Sequence, residues 1–235
     1  MRDSLNNLRR YRPVPIAVFL VFALSVLLVG AEHGPTADHC LDVAAPGVDW
    51  SGCNLRNADL HDADLQGANL RKADLRKANL RGVNLRDANL YRADLTDATL
   101  STADLRGATL REATLTGATL QKANLCEANL RKTILSNADL TAADLSDAYL
   151  SRTNLRGAIL QYATLRRAVL SPALLEGAEL QGVDLSNAVL RRVNLRNAKH
   201  LPGNLVGAVW YDSICPDGVN SDDHQQSCAG HFGEE

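Results

Sequence analysis

From Leu55 to Leu195 every fifth residue is leucine, twenty-nine times in succession. Two positions before each repeat centre, from Ala58 to Ala198, 24 of 29 residues are alanine, the exceptions being Val83, Thr133, Thr153, Val183 and Val193. The residue just before the leucine is usually Asp, Asn or Thr, as in Asn54, Asp59, Asp64 and Asn69. A period of five suits neither regular element. On an α-helix five steps leave successive leucines about 140° apart, so no apolar stripe forms. On a straight strand an odd period sends them to opposite faces. Alanine and leucine of one repeat, two apart, do share a face locally. For the next pair to meet the same interior the chain must turn between repeats, and four right-angle corners close a square coil of twenty residues.

Corner chemistry agrees with that expectation. Two residues after each centre, from Gly52 to Asn197, 16 of 30 positions are Gly, Asn or Asp, which tolerate the positive φ of a tight turn. Inside, leucine rungs alternate with small alanine layers, because a narrow square tube holds no larger inward pair. Thirty-three centres from Trp50 to Trp210 then make eight coils, a rod of about 40 Å at a coil spacing of about 4.8 Å. Burying one leucine contributes about 2 kcal/mol, so some thirty can offset the ordering of such a chain.

The run A-(D/N)-L-x-x, for example Ala58-Asp59-Leu60-His61-Asp62 and Ala68-Asn69-Leu70-Arg71-Lys72, resembles the pentapeptide-repeat proteins. The likeness covers 48–210 and implies an all-β fold, a right-handed quadrilateral β-helix. Pro46-Gly47-Val48-Asp49-Trp50-Ser51-Gly52-Cys53 and Cys215-Pro216-Asp217-Gly218 look like flanking pieces of exported members.

Ahead of the repeats stand Arg2, Arg9, Arg10 and Arg12, then Ile16–Val29, in which only Ser25 is polar. A basic stretch followed by an apolar run of this length reads as an export signal, cleaved after Ala31, or as a retained N-terminal membrane anchor formed by an apolar helix. No Lys or Arg follows until Arg56, which keeps the N-terminus cytoplasmic and sends 32–235 across the membrane. The organisation read from the sequence is 1–31 signal or anchor, 32–47 N-terminal cap, 48–210 solenoid and 211–235 C-terminal cap or tail.

Open coil ends expose unpaired backbone groups and need covers. Exported cysteines favour disulfides. Cys40 and Cys53 are thirteen apart, as are Cys215 and Cys228, so each pair can staple one cap; Cys126 has no local partner. Cys215, His224, Cys228 and His231 also form a set of four zinc-type ligands, but their spacing matches no common zinc module and an oxidising compartment favours the disulfide. No metal or cofactor is expected.

Composition narrows the function classes. Aromatic residues make up 4% of the chain, the net charge is −2 and the six histidines are scattered. No catalytic constellation stands out, and a solenoid wall lacks the concavity an enzyme site needs, so the expectation is non-enzymatic. One corner column is strongly basic: Arg71, Lys72, Arg92, Arg111, Arg131, Lys132, Arg152, Arg191 and Arg192, against Glu112 alone. It suits either an anionic envelope component or protein, or plain solvation of a wall shielded by arginine stems. Some pentapeptide-repeat proteins protect type II topoisomerases by mimicking DNA, which requires an acidic cytosolic rod. Here 48–210 holds 21 basic and 17 acidic residues behind an export signal. Neither mimicry nor binding of nucleic acid is therefore expected. The leading expectation is an exported structural or protein-interaction scaffold; pairing of two copies through a terminal coil, where Trp210-Tyr211 lies, is left open.

Overall fold

The computed structural model describes residues 38–200, 202–223, 227–228 and 230–231. The turn expected between repeats occurs throughout. In the repeat centred on Leu75, five backbone N–H groups find five acceptors. Leu75 donates to Asp94 O one coil on (2.7 Å), Lys77 to Thr96 O (2.9 Å) and Asn79 back to Ala58 O (2.9 Å). Ala78 closes the corner by donating to Leu75 O (3.0 Å). The fifth group, Arg76 N–H, faces outward and donates to Asp74 Oδ1 (3.2 Å). That last bond explains why Asp or Asn precedes most of the leucines: its carboxylate or amide oxygen accepts from the one corner N–H that the coils leave over.

Residues twenty apart pair in parallel from Asp49–Asn69 up to Asn194–Ile214. Where the pairing is extended enough to form strands, these are β1 (Thr153–Asn154), β2 (Ala173–Leu174), β3 (Val189–Arg191), β4 (Val193–Asn194) and β5 (Val209–Tyr211). They associate in the orders β1-β2-β4 and β3-β5, all parallel, each pairing again offset by twenty. A coil of twenty residues with four walls follows directly. We name wall A the one centred on Leu70, Leu90, Leu110 and their equivalents.

Every centre from Leu65 through Leu160 is wholly buried, with the small residues two positions earlier beside it. Thr133 and Thr153 belong to that inner layer and satisfy their hydroxyls by donating to Leu110 O (2.8 Å) and Leu130 O (2.7 Å). The third corner position has positive φ whatever its residue, including Lys72 (56°), Thr102 (60°), Glu112 (60°) and Tyr162 (57°). Pro172, whose ring forbids positive φ, makes its corner with a cis Ser171–Pro172 bond instead.

Both ends are covered. A turn of 3₁₀-helix, Asp38–Leu41, lies before the first coil, tied by the Cys40–Cys53 disulfide and by His39 Nε2 to Ser51 O (3.1 Å). Trp50 is wholly buried. At the other end Trp210 is buried while Tyr211 remains 47% exposed. The chain then doubles back, pairing Ile214 with Asn220 in antiparallel fashion, and a 3₁₀ turn, Ser221–Asp223, follows. Ser221 N–H donates to Ser213 O (2.7 Å), and Cys215 joins Cys228. Among the described residues no helix is long and apolar enough to cross a membrane; the apolar helix expected at the N-terminus falls outside them.

Candidate interaction face

The nine cations picked out from the sequence stack along the corner that follows wall A, but they are not equivalent. In the lower part they converge on Glu112, whose side chain is 17% exposed. Its carboxylate accepts from Arg92 Nε (2.8 Å), Arg111 Nη2 (3.2 Å), Lys132 Nζ (3.4 Å) and the Tyr91 hydroxyl (3.1 Å). The Arg92 bond, aided by those from Tyr91, Lys132 and Arg111, outweighs desolvation and holds Glu112 down at about 2. The ring of Tyr91 carries the guanidinium carbons of Arg71, Arg92 and Arg111 at 5.4, 5.0 and 5.7 Å from its centroid. This cluster is a closed electrostatic knot, three cations around one carboxylate.

Higher up the column differs. Arg131 lies over the ring of Tyr149 (5.4 Å), and Arg192 pairs with Asp212 (3.3 Å). Among the described residues no carboxylate pairs with Arg71, Lys72, Arg131, Arg152 or Arg191. The sequence reading missed Tyr91 and Tyr149. Tyr91 sits twenty residues from Arg71 and Arg111, and Tyr149 eighteen from Arg131, so each touches an arginine of a neighbouring coil, a signal available once the coil length is known.

Elsewhere, charge cancels locally. Arg106 bonds Asp104 through Nε (2.8 Å), Arg167 pairs with Asp147 (2.6 Å), Arg166 with Asp184 (2.6 Å) and Arg156 with Glu176 (2.9 Å). The Arg106 hydrogen bond holds the Asp104 carboxyl below the usual carboxylate range, and Arg167 does the same for Asp147.

The cysteines fall into two groups. Cys40–Cys53 and Cys215–Cys228 have Cα separations of 5.6 and 5.3 Å. With Cys215 and Cys228 joined, their thiolates are not available to the zinc set considered from the sequence; His231 Nδ1 instead contacts Asp217 Oδ2 (2.5 Å), and His224 lies outside the described residues. Cys126 is a free thiol, pushed up by burial and by the nearby Asp144 and Glu127 carboxylates. His39 sits beside Cys40 and Cys53, the one group of metal-ligand types brought together among the described residues, but both sulfurs are committed to their disulfide.

The chain is matched by the family model described as pentapeptide repeats, in eight copies spread over 47–171 and 173–199. Among solved structures it is similar to HetL, a pentapeptide repeat protein involved in heterocyst differentiation regulation in the cyanobacterium Nostoc. That likeness has 35% identity and a TM-score of 0.29, and covers 74% of this chain and 86% of that one. It is similar to QnrB1, a plasmid-mediated fluoroquinolone resistance protein, at 20% identity and TM-score 0.47, covering 65% of this chain and 73% of that one. A pentapeptide repeat protein of the Arabidopsis thaliana thylakoid lumen shares 37% identity at TM-score 0.30, over 43% of this chain and 66% of that one. No curated protein sequence matches. Five-residue period, twenty-residue register and family match converge: the chain belongs to the pentapeptide-repeat family, whose fold is the right-handed quadrilateral β-helix.

Proposed function

We propose that the protein is an exported, non-enzymatic scaffold that presents rigid solenoid walls to a partner outside the cytoplasm. The observation that carries the reading is that each end of the solenoid is fastened by its own disulfide, a device suited to an oxidising compartment. The basic and apolar stretch at 2–29 supports the same route, either as a cleaved signal or as a retained anchor. Lateral walls built of hydrogen-bonded rungs offer flat surface for binding. The topoisomerase-protecting DNA mimic is not favoured, because the most charged column is basic and nothing in the repeats forms an acidic rod.

Fractionation with intact-mass measurement, before and after thiol alkylation, tests the proposal. The expected result is extracytoplasmic protein in which only Cys126 alkylates without reduction, with a mass reporting either cleavage after Ala31 or the full chain in the membrane fraction. Soluble cytosolic protein with Met1 retained and five alkylated thiols would overturn it.

A further inference from the structure

The position before each leucine is polar by default, because Asp or Asn there accepts the leftover corner N–H. Wall A keeps a polar residue there in its first coils, Asn69, Asn89, Thr109 and Asn129, the three asparagines accepting from Arg71, Tyr91 and Arg131. Then it departs for four consecutive rungs: Tyr149, Val169, Val189 and Val209, which pair in register. None of these side chains can accept the corner bond. Arg191 N–H turns to Ser171 Oγ instead (3.1 Å). On the next wall apolar residues at the same position alternate with polar ones, Ile134, Asn154, Leu174 and Asn194. Tyr149 and Val209 are each 45% exposed, and Val206 (75%) and Tyr211 (47%) extend the strip at its upper end. Val169 and Val189 between them are half-buried, and an apolar run over four successive coils, open to water at both ends, marks an interaction surface.

Its two borders differ. On one side Asp147–Arg167 and Arg166–Asp184 cancel each other. On the other stand Arg131, Arg152 and Arg191, with no carboxylate paired to them among the described residues. The complement is an apolar surface with a row of acids along one flank. A helix rises about 1.5 Å per residue, so apolar side chains at i, i+3 or i+4, and i+7 recur about every 5 Å. That matches coils spaced by about 4.8 Å.

We propose, resting on the scaffold reading, that the upper half of wall A docks an acidic amphipathic helix of another protein, laid along the solenoid axis with its carboxylates on Arg131, Arg152 and Arg191. A bilayer fits less well: valines on a flat wall cannot reach the depth of about 5–10 Å at which apolar side chains leave the headgroups. A second copy fits less well too. Face to face and antiparallel, the arginine border meets itself; parallel, it meets the border whose acids are already paired.

The test selects random sixteen-residue helix-biased displayed peptides on the immobilised full chain, and measures the winners against Val169→Asp, Val189→Asp and the double variant Arg152→Gln/Arg191→Gln. Asp is the repeat's own residue at the valine positions, so those variants keep the fold. Binders are expected to carry apolar residues at helical spacing with Asp or Glu on one flank, and to lose at least tenfold in affinity on each variant, the arginine effect shrinking at high salt. Absence of enrichment, basic winners, or binding indifferent to Val189→Asp would overturn the proposal. So would phosphatidylglycerol vesicles that sediment the native chain but not Val189→Asp, which would make the occupant lipid. A dimer in light scattering that Val189→Asp dissolves would make it a second copy. Because the assay uses purified chain, peptide binding by a protein found in the cytosol would sink the export reading and leave this surface standing.

Discussion

If the corners and not the residue types dictate positive φ, then exchanging glycine and alanine there should change stability in a calculable way. Gly67 (φ 66°) and Gly177 (φ 67°) are the cleanest sites, since an added Cβ would meet nothing within 4 Å at either. An L-residue in the left-handed region costs about 1–2 kcal/mol. Alanine recovers about 0.4–1 kcal/mol of this by restricting the unfolded chain, leaving about 1 kcal/mol of net destabilisation per site. For a chain of this size that lowers Tm by about 2–4 °C. The two sites stand several coils apart and should add, so the double variant Gly67→Ala/Gly177→Ala should lose about 2 kcal/mol. Ala142, already at φ 56°, supplies the converse: Ala142→Gly should raise Tm by a similar increment. Thermal unfolding by circular dichroism reads all three. Were Gly67→Ala neutral and Ala142→Gly destabilising, the corner would not be strained by its φ, and the explanation of the period would fail with it.

Other outcomes follow from the same geometry. Leu110→Ala, which empties part of a wholly buried rung, should cost about 2–5 kcal/mol. Thr133→Val, which keeps the volume while Leu110 O retains its bond from Ala113 N–H (2.9 Å), should stay within about 1 kcal/mol of the native chain; chemical denaturation compares the two. Removing Cys215–Cys228 by a double serine substitution should loosen its end selectively, because solenoid coils feel only their neighbours: amide exchange should quicken at Ser213 and Ile214 and not at Leu110. Glu112 has a folded value of about 2 against an ordinary 4.5, so its ion pairs stabilise fully above pH 4.5 and fade as the pH falls through about 2. The Tm gap between the native chain and Glu112→Gln should therefore be present at pH 6, close by pH 2 and narrow in high salt.

What the sequence made legible was whatever the period alone determines. Inward Leu and Ala, a coil of twenty residues and two stapled ends all follow from spacing and from cysteine positions. Corner φ was half legible: Gly, Asn and Asp announced sixteen corners, while Lys72, Thr102, Glu112 and Tyr162 adopt the same conformation with nothing in their chemistry to say so. They are held there because the corner N–H must reach the next coil, as Lys72 N–H reaches Tyr91 O (2.9 Å). The basic column was visible as a composition but not as an arrangement. Arg71, Arg92, Arg111 and Lys132 are tied by Glu112 and Tyr91, mostly across neighbours twenty residues apart that a local reading of charge does not bring together.

A division of labour within the pentad accounts for both successes and omissions. Leucine and the small residue two before it are fixed by the width of the tube, and the third corner position by its backbone. The first corner residue and the one before leucine face outward, so they can change without disturbing the interior. At the latter, Asp or Asn is the resting choice because it accepts a hydrogen bond from a group otherwise left over; Asn84, Asp104 and Asn124 do so on one wall. A departure from that choice forgoes the bond, and four departures in register on one wall forgo it repeatedly. Totals such as a net charge of −2 average over four walls and conceal this. Columns twenty residues apart are the unit in which such a surface is written. Other walls also depart from the default over successive coils, as at Ile159, Glu179 and Lys199. Among the described residues, though, Tyr149, Val169, Val189 and Val209, beside arginines with no carboxylate partner, replace it with apolar or aromatic side chains over four coils in a row.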